Sequence, residues 1–114
     1  MDSINQRLNI FFQSGIITSE EKEILIRWIE MIQEFSSEYS IEKLERMITH
    51  CAMMMKRQRE KEDLGRLPEE FYLSIKEHEL YDDCMELLKQ MTSLYPVNDQ
   101  EERYLILHLC SCFE

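Results

Sequence analysis

Residues 18–35, TSEEKEILIRWIEMIQEF, carry both the start signal and the periodicity of an amphipathic α-helix. Thr18 and Glu21 stand at the spacing of a capping box, in which each side chain binds the backbone N–H of the other residue. The apolar residues that follow recur every three or four positions and so share one face: Ile24, Leu25, Trp28, Ile29 and Ile32. The stretch predicts a helix from Thr18 to about Phe35 with one buried face.

Helical signals flank this stretch on both sides. The apolar residues of 4–12 have helical spacing, and Gly15 is suited to end that helix because it tolerates a left-handed backbone. Ser40 is a good N-cap for a third helix over residues 41–60. Residues 61–67 are charged and contain a glycine, which predicts a loop.

Two further helices are predicted in the second half of the chain. Pro68 suits the first turn of a helix, where its missing N–H costs nothing, and that helix includes residues 71–75. A bend at residues 78–79 separates it from a helix over residues 80–93.

The last helix follows a break at residues 96–98 and holds residues 104–113, YLILHLCSCF. Asn98 and Glu101 again have capping-box spacing at its start. Because this segment is apolar nearly all round, we expect it to be the most buried helix.

Composition supports the same fold class. The 114 residues include only two glycines and two prolines, whereas a β-rich fold needs more turn formers. We therefore predict an all-α, compact bundle of five to six helices in a single domain spanning residues 1–114. No window has the length of a transmembrane helix, and the start MDSINQRLN is no secretory signal, which predicts a cytoplasmic protein. The four cysteines form no CxxC pair and are expected to be reduced, mostly as core residues: Cys51, Cys84, Cys110 and Cys112.

Net charge argues against direct nucleic-acid binding. The chain carries −10 at neutral pH, so it repels phosphate backbones. The charge is uneven, because residues 41–66 carry +2 and residues 67–114 carry −8.

His50 and Arg57 are the first candidate pair. Seven residues bring two helical positions within about 20° of the same face, with a rise of about 10 Å. Side chains lean toward the helix N-terminus, so Arg57 leans toward His50 and could contact an anion on the imidazole. The alternative is that Arg57 only caps the end of its helix.

His108 is the second candidate, since it interrupts the apolar run of the last helix. The alternative for this residue is a core histidine that is hydrogen-bonded to a neighbouring helix. His78, at the predicted bend, is assigned no role. Spacings of one and two positions, as between His50 and Cys51 or His108 and Cys110, do not place ligands on one helix face, which makes a zinc site a weak prediction. No phosphate loop or hydrolase motif is present, so we predict no enzyme, metal or cofactor.

Two segments resemble the histidine motifs of one family, the PTS regulation domain. Residues 48–57, ITHCAMMMKR, resemble its first motif, and residues 101–109, EERYLILHL, resemble its second. The two histidines are 58 positions apart, about the separation found in the family, and the resemblance covers residues 41–113. Gln100 departs from the family pattern, since an acidic residue often stands there.

The resemblance implies a helical bundle that often dimerises and is phosphorylated on histidine by phosphocarrier proteins of the bacterial sugar phosphotransferase system. Carried over by residue, it makes His50 and His108 the phosphoacceptors and Arg57 the phosphate-stabilising residue. Family regulators usually carry an RNA-binding or DNA-binding domain, which this chain lacks. We therefore expect a single stand-alone domain that acts in trans on transcription, antitermination or carbohydrate metabolism.

Two other functions are compatible with the sequence. One is a constitutive helical protein–protein interaction subunit that is never phosphorylated. The other is a small metal-binding or enzymatic protein that uses His50, His108 and the cysteines. The first interpretation ranks above both because both histidine motifs and Arg57 are present together.

Overall fold

The structure, a computed structural model, describes residues 2–62, 65 and 67–113. Over these residues the chain forms helices joined by turns, without a β-strand, which confirms the predicted all-α bundle. The six helices are α1 (Asp2–Gln13), α2 (Ser19–Phe35), α3 (Ile41–Glu60), α4 (Glu69–Lys76), α5 (Tyr81–Leu94) and α6 (Asp99–Cys112).

The predicted helix ends are formed by the predicted capping residues. At α2, the N–H of Glu21 donates to Thr18 Oγ1 over 3.1 Å, and the N–H of Thr18 donates to Glu21 Oε1 over 2.9 Å. Ser40 accepts the N–H of Lys43 at the start of α3. Gly15 has φ +82° just after α1, a backbone conformation that other residues rarely adopt. Local capping chemistry therefore accounts for where these helices begin and end.

Loss of the α2 cap is the first testable consequence. Thr18→Ala removes the oxygen that accepts the Glu21 N–H, so we expect the free energy of unfolding to fall by about 1 kcal/mol. Urea denaturation measures this value. Ser19→Ala, an exposed neighbour with no capping role, is the matched control. Equal losses in the two variants would contradict the cap.

One helix boundary differs from the prediction. Pro68 is the N-cap of α4 and lies outside its first turn, because its ψ of 135° is extended and its carbonyl accepts the N–H of Phe71. Helix α3 ends at Glu60, as predicted, and its C-cap Lys61 has a left-handed φ of 57°, where glycine is the more common residue. Within the predicted loop of residues 61–67, Asp63, Leu64 and Arg66 lie outside the described residues.

Helices α3 and α6 pack antiparallel at the centre of the bundle. The N–H of Ser40, at the start of α3, donates to the carbonyl of Cys112 at the end of α6 over 2.8 Å. At the opposite end, Arg57 of α3 reaches Glu101 in the first turn of α6. Every residue of 101–113 is buried or half-buried, as predicted for the last helix. This pairing brings the middle of α3 against the middle of α6.

Trp28 joins α2 to α5 in the core. Its side chain is fully buried, and its indole N–H donates to the carbonyl of Met91 over 2.9 Å. The ring of Tyr95 approaches its edge with centroids 6.2 Å apart. A buried indole N–H needs such an acceptor, so this contact fixes how α2 lies on α5.

All four cysteines are buried thiols, as expected. Burial raises the pKa of Cys112 to about 11 and raises that of Cys51 further, so these thiols stay protonated at neutral pH. No helix in the described part of the chain is both long and apolar enough to cross a bilayer.

Candidate functional site

The two candidate histidines meet at the contact between α3 and α6. The ring centroids of His50 and His108 are 4.7 Å apart, with the ring planes tilted by 34°. Tyr104, one turn before His108, stacks against His50 with centroids 5.8 Å apart. Residues that are far apart in the chain thus form one group of aromatic rings.

Arg57 forms a two-pronged ion pair with Glu101. Its Nε donates to Glu101 Oε2 and its Nη2 to Oε1, each over 3.1 Å. Asn98 caps the N–H of Glu101, but the Glu101 carboxylate binds Arg57 and does not return to Asn98 as a capping box requires. The Arg57 guanidinium therefore binds a carboxylate on α6, and this settles the alternative that it only caps α3.

We call His50, Arg57, Glu101, Tyr104 and His108 the histidine cluster. Its centre is a carboxylate that lies between an arginine and an imidazole. Glu101 is 1% exposed, and its Oε1 lies 3.6 Å from His50 Nε2. That nitrogen is itself buried and has no hydrogen-bond partner among the described residues.

Both imidazoles are held neutral. Burial, with repulsion from the Arg57 guanidinium and from His108 whenever that ring is protonated, lowers the pKa of His50 to about 4. Burial also lowers the pKa of His108. A neutral imidazole has one ring nitrogen with a free lone pair, which is what a nucleophile or a phosphoryl acceptor requires.

The two histidines differ in what surrounds them. The side chain of His50 is 15% exposed, and its Nε2 faces the Glu101 carboxylate. His108 instead borders an open cavity of about 280 Å³ that also contains two basic side chains. The cavity is lined by Lys43, Arg46, Leu107, His108 and Ser111.

His78 lies outside the histidine cluster. It sits in the bend between α4 and α5, as predicted, and its Nδ1 accepts the N–H of Leu80 over 3.1 Å. Gln100, where the family often has an acidic residue, has a buried Oε1 without a hydrogen-bond partner in the described part of the structure. Among the described residues, no three or more His, Cys, Asp or Glu side chains are arranged to hold a metal ion.

Glu101, Lys43 and Arg46 were not among the residues predicted for the site. A signal for Glu101 was present, because it stands three residues after Asn98 and opens the apolar run of the last helix. The net positive charge of residues 41–66 was a weaker signal for Lys43 and Arg46. Neither signal indicates which charged side chains of different helices contact each other.

Comparison of the chain with family models, curated proteins and solved structures finds no match in any of the three. What the histidine cluster does must then follow from its own chemistry. That chemistry consists of two neutral imidazoles in ring contact, a stacked tyrosine and a buried carboxylate–guanidinium pair.

Proposed function

We propose that this protein is a regulatory domain that is controlled by histidine phosphorylation from the bacterial sugar phosphotransferase system. It acts in trans on a protein of transcription, antitermination or carbohydrate metabolism, in the cytoplasm. The observation that carries the proposal is the ring contact of His50 and His108, 4.7 Å apart although 58 positions separate them in the chain. The resemblance of residues 48–57 and 101–109 to the paired motifs of PTS regulation domains supports it.

The chemistry requires a transfer between two imidazoles. The lone pair of a neutral acceptor imidazole attacks the phosphorus of a phosphohistidine on a phosphocarrier protein. A new P–N bond forms as the P–N bond of the donor breaks, and the donor imidazole leaves with the bonding electrons and takes up a proton. The acceptor imidazole loses the proton from its other ring nitrogen, so the protons balance. No redox change occurs and no cofactor is needed. The lowered pKa of both histidines favours this reaction, because it keeps the attacking lone pair free.

Phosphorylation places a nearly dianionic group where a neutral ring was packed between α3 and α6. An unpaired charge in such a place is costly, so the packing must change or cations must bind the group. The proposed partners are phosphocarrier proteins, a second copy of the chain in a homodimer, and a regulated protein. Light scattering before and after phosphorylation measures whether the dimer responds.

The direct test is intact mass after incubation with phosphoenolpyruvate and the general phosphotransferase proteins. We expect an acid-labile phosphoryl adduct on the wild type and its loss in His50→Ala, His108→Ala or both. His78→Ala is the matched control and should keep the adduct. The absence of an adduct, with the donors active on a known substrate, would overturn the proposal.

That negative result would favour the second candidate, a constitutive interaction subunit. The observation in its favour is a set of exposed apolar side chains, among them Ile10, Phe71 and Leu73, each more than half exposed. Capture of the same partner by unphosphorylated wild type and by the variant that lacks both histidines would support it.

A further inference from the structure

A cavity with two basic side chains lies beside His108, between the first turns of α3 and the last turns of α6. Its volume of about 280 Å³ exceeds the space of several water molecules, since a water takes about 30 Å³. Lys43 and Arg46 enter it from α3, and Ser111 enters it from α6. It is therefore large enough for a phosphoryl group on His108.

The positive charge of this cavity comes from two basic residues of α3. Lys43 and Arg46 are three residues apart and so lie on one face of α3. Lys43 also lies near the last turn of α6, where its charge opposes the rise that burial causes in the pKa of Cys112. Arg46 is exposed, and so it can move toward a new anion without leaving a buried partner.

His50, by contrast, faces a negatively charged side chain. Its Nε2 lies 3.6 Å from a Glu101 oxygen, so a phosphoryl group on that atom would bring two anions together. Arg57 offsets only part of this repulsion, because its Nε and Nη2 already donate to Glu101. Charge therefore disfavours a phosphoryl group at His50 and favours one at His108.

We infer that His108 is the phosphoacceptor and that Lys43 and Arg46, with Ser111, form the pocket that binds its phosphoryl group. Arg57 and Glu101 then hold His50 in place as a neutral ring that packs against His108. An arginine fork and a lysine ammonium suit the oxygens of a phosphoryl dianion, and the Ser111 hydroxyl adds a donor. The identity of the biological phosphoryl donor rests on the proposed function. The existence of the phosphate-binding pocket does not depend on it.

Phosphoramidate tests the pocket without any carrier protein. The imidazole lone pair attacks phosphorus, the P–N bond to the amino group breaks, and ammonia leaves after taking up a proton. The readouts are the rate of adduct formation by intact mass and the rate of adduct hydrolysis. The variants are Lys43→Gln, Arg46→Gln, the double variant and His108→Gln, each first checked for folding by circular dichroism.

We expect one adduct on the wild type, and we expect it to be absent from His108→Gln and kept in His50→Gln. The double variant should form the adduct about tenfold more slowly or hydrolyse it about tenfold faster, and each single variant should show a smaller change. Lys56→Gln is the matched control for the single variants, since it makes the same charge change on α3 about 20 Å from Lys43 and about 15 Å from Arg46 along the helix axis. It should leave both rates within about twofold.

An adduct that persists in His108→Gln, or equal rates in the wild type and the double variant, would overturn the inference. Titration with inorganic phosphate distinguishes reversible binding of a phosphate ion from a phosphoryl group covalently attached to His108. Saturable phosphate binding without any adduct would overturn the assignment to His108. Carrier proteins test the proposed function separately. If phosphoramidate labels the protein through the pocket but the carrier proteins do not label it, the proposed function is refuted and the pocket is still supported.

Discussion

Arg57→Met is expected to lower the free energy of unfolding by about 3–5 kcal/mol. Glu101 is 1% exposed, and Arg57 supplies both hydrogen bonds to its carboxylate. Methionine keeps the apolar stem of the side chain but leaves the carboxylate buried without its counter-charge. Most of the lost stability comes from the unpaired buried charge, and little of it comes from lost packing. Urea denaturation at neutral pH measures it.

Two further variants separate this cause from a general effect of changing α3. Lys56→Met breaks a surface pair with Glu60 on the same helix and should lower the free energy of unfolding far less than Arg57→Met. Arg57→Met combined with Glu101→Met removes both charges and should recover most of the stability that the single variant loses. A double variant as unstable as Arg57→Met would contradict the explanation that an unpaired buried carboxylate causes the loss of stability.

Mild acid is expected to destabilise the protein through His50. The pKa of His50 is about 4 in the folded protein and close to the ordinary histidine value of 6.5 in the unfolded chain. Between these values the unfolded chain binds a proton that the folded protein does not bind, so stability falls as pH falls. The full effect is about 3 kcal/mol. This stability is present above pH 6.5 and is lost once the pH falls to about 4. His108, whose pKa burial also lowers, contributes with the same sign.

The measurement is urea denaturation from about pH 7.5 to about pH 4.5 on the wild type and His50→Gln. Carboxylates also titrate in acid, so the informative quantity is the difference between the two pH profiles. His50→Gln should show a shallower fall in stability. Met53→Gln, a substitution at an exposed position of α3, should keep the steep profile. Parallel profiles for the wild type and His50→Gln would refute the role of His50.

The helices were predictable because their signals are local. The Thr18–Glu21 capping box and the apolar spacing of residues 24–32 depend only on residues within a few turns, and α2 follows them closely. Pro68 was placed one position too far into its helix, since a proline fits both the first turn and the residue before it. Local signals therefore predict which segments are helical better than where each helix starts.

The histidine cluster was only partly predictable because it depends on how α3 lies on α6. The seven-residue spacing placed Arg57 and His50 on one face, and both side chains do lie against Glu101. The partner of Arg57 is 44 positions away, and helical periodicity contains no information at that range. The contact of His50 with His108 likewise follows from the antiparallel packing of the two helices.

The buried indole that joins α2 to α5 gives this protein an internal optical probe. Trp28 is the only tryptophan in the chain, so emission excited at the red edge of its absorption has one source. In its apolar site the indole should fluoresce at shorter wavelength than in water, and unfolding should shift the emission to the red. Each variant described above can thus be checked for an intact core without a label, by the same fluorescence signal that follows its denaturation.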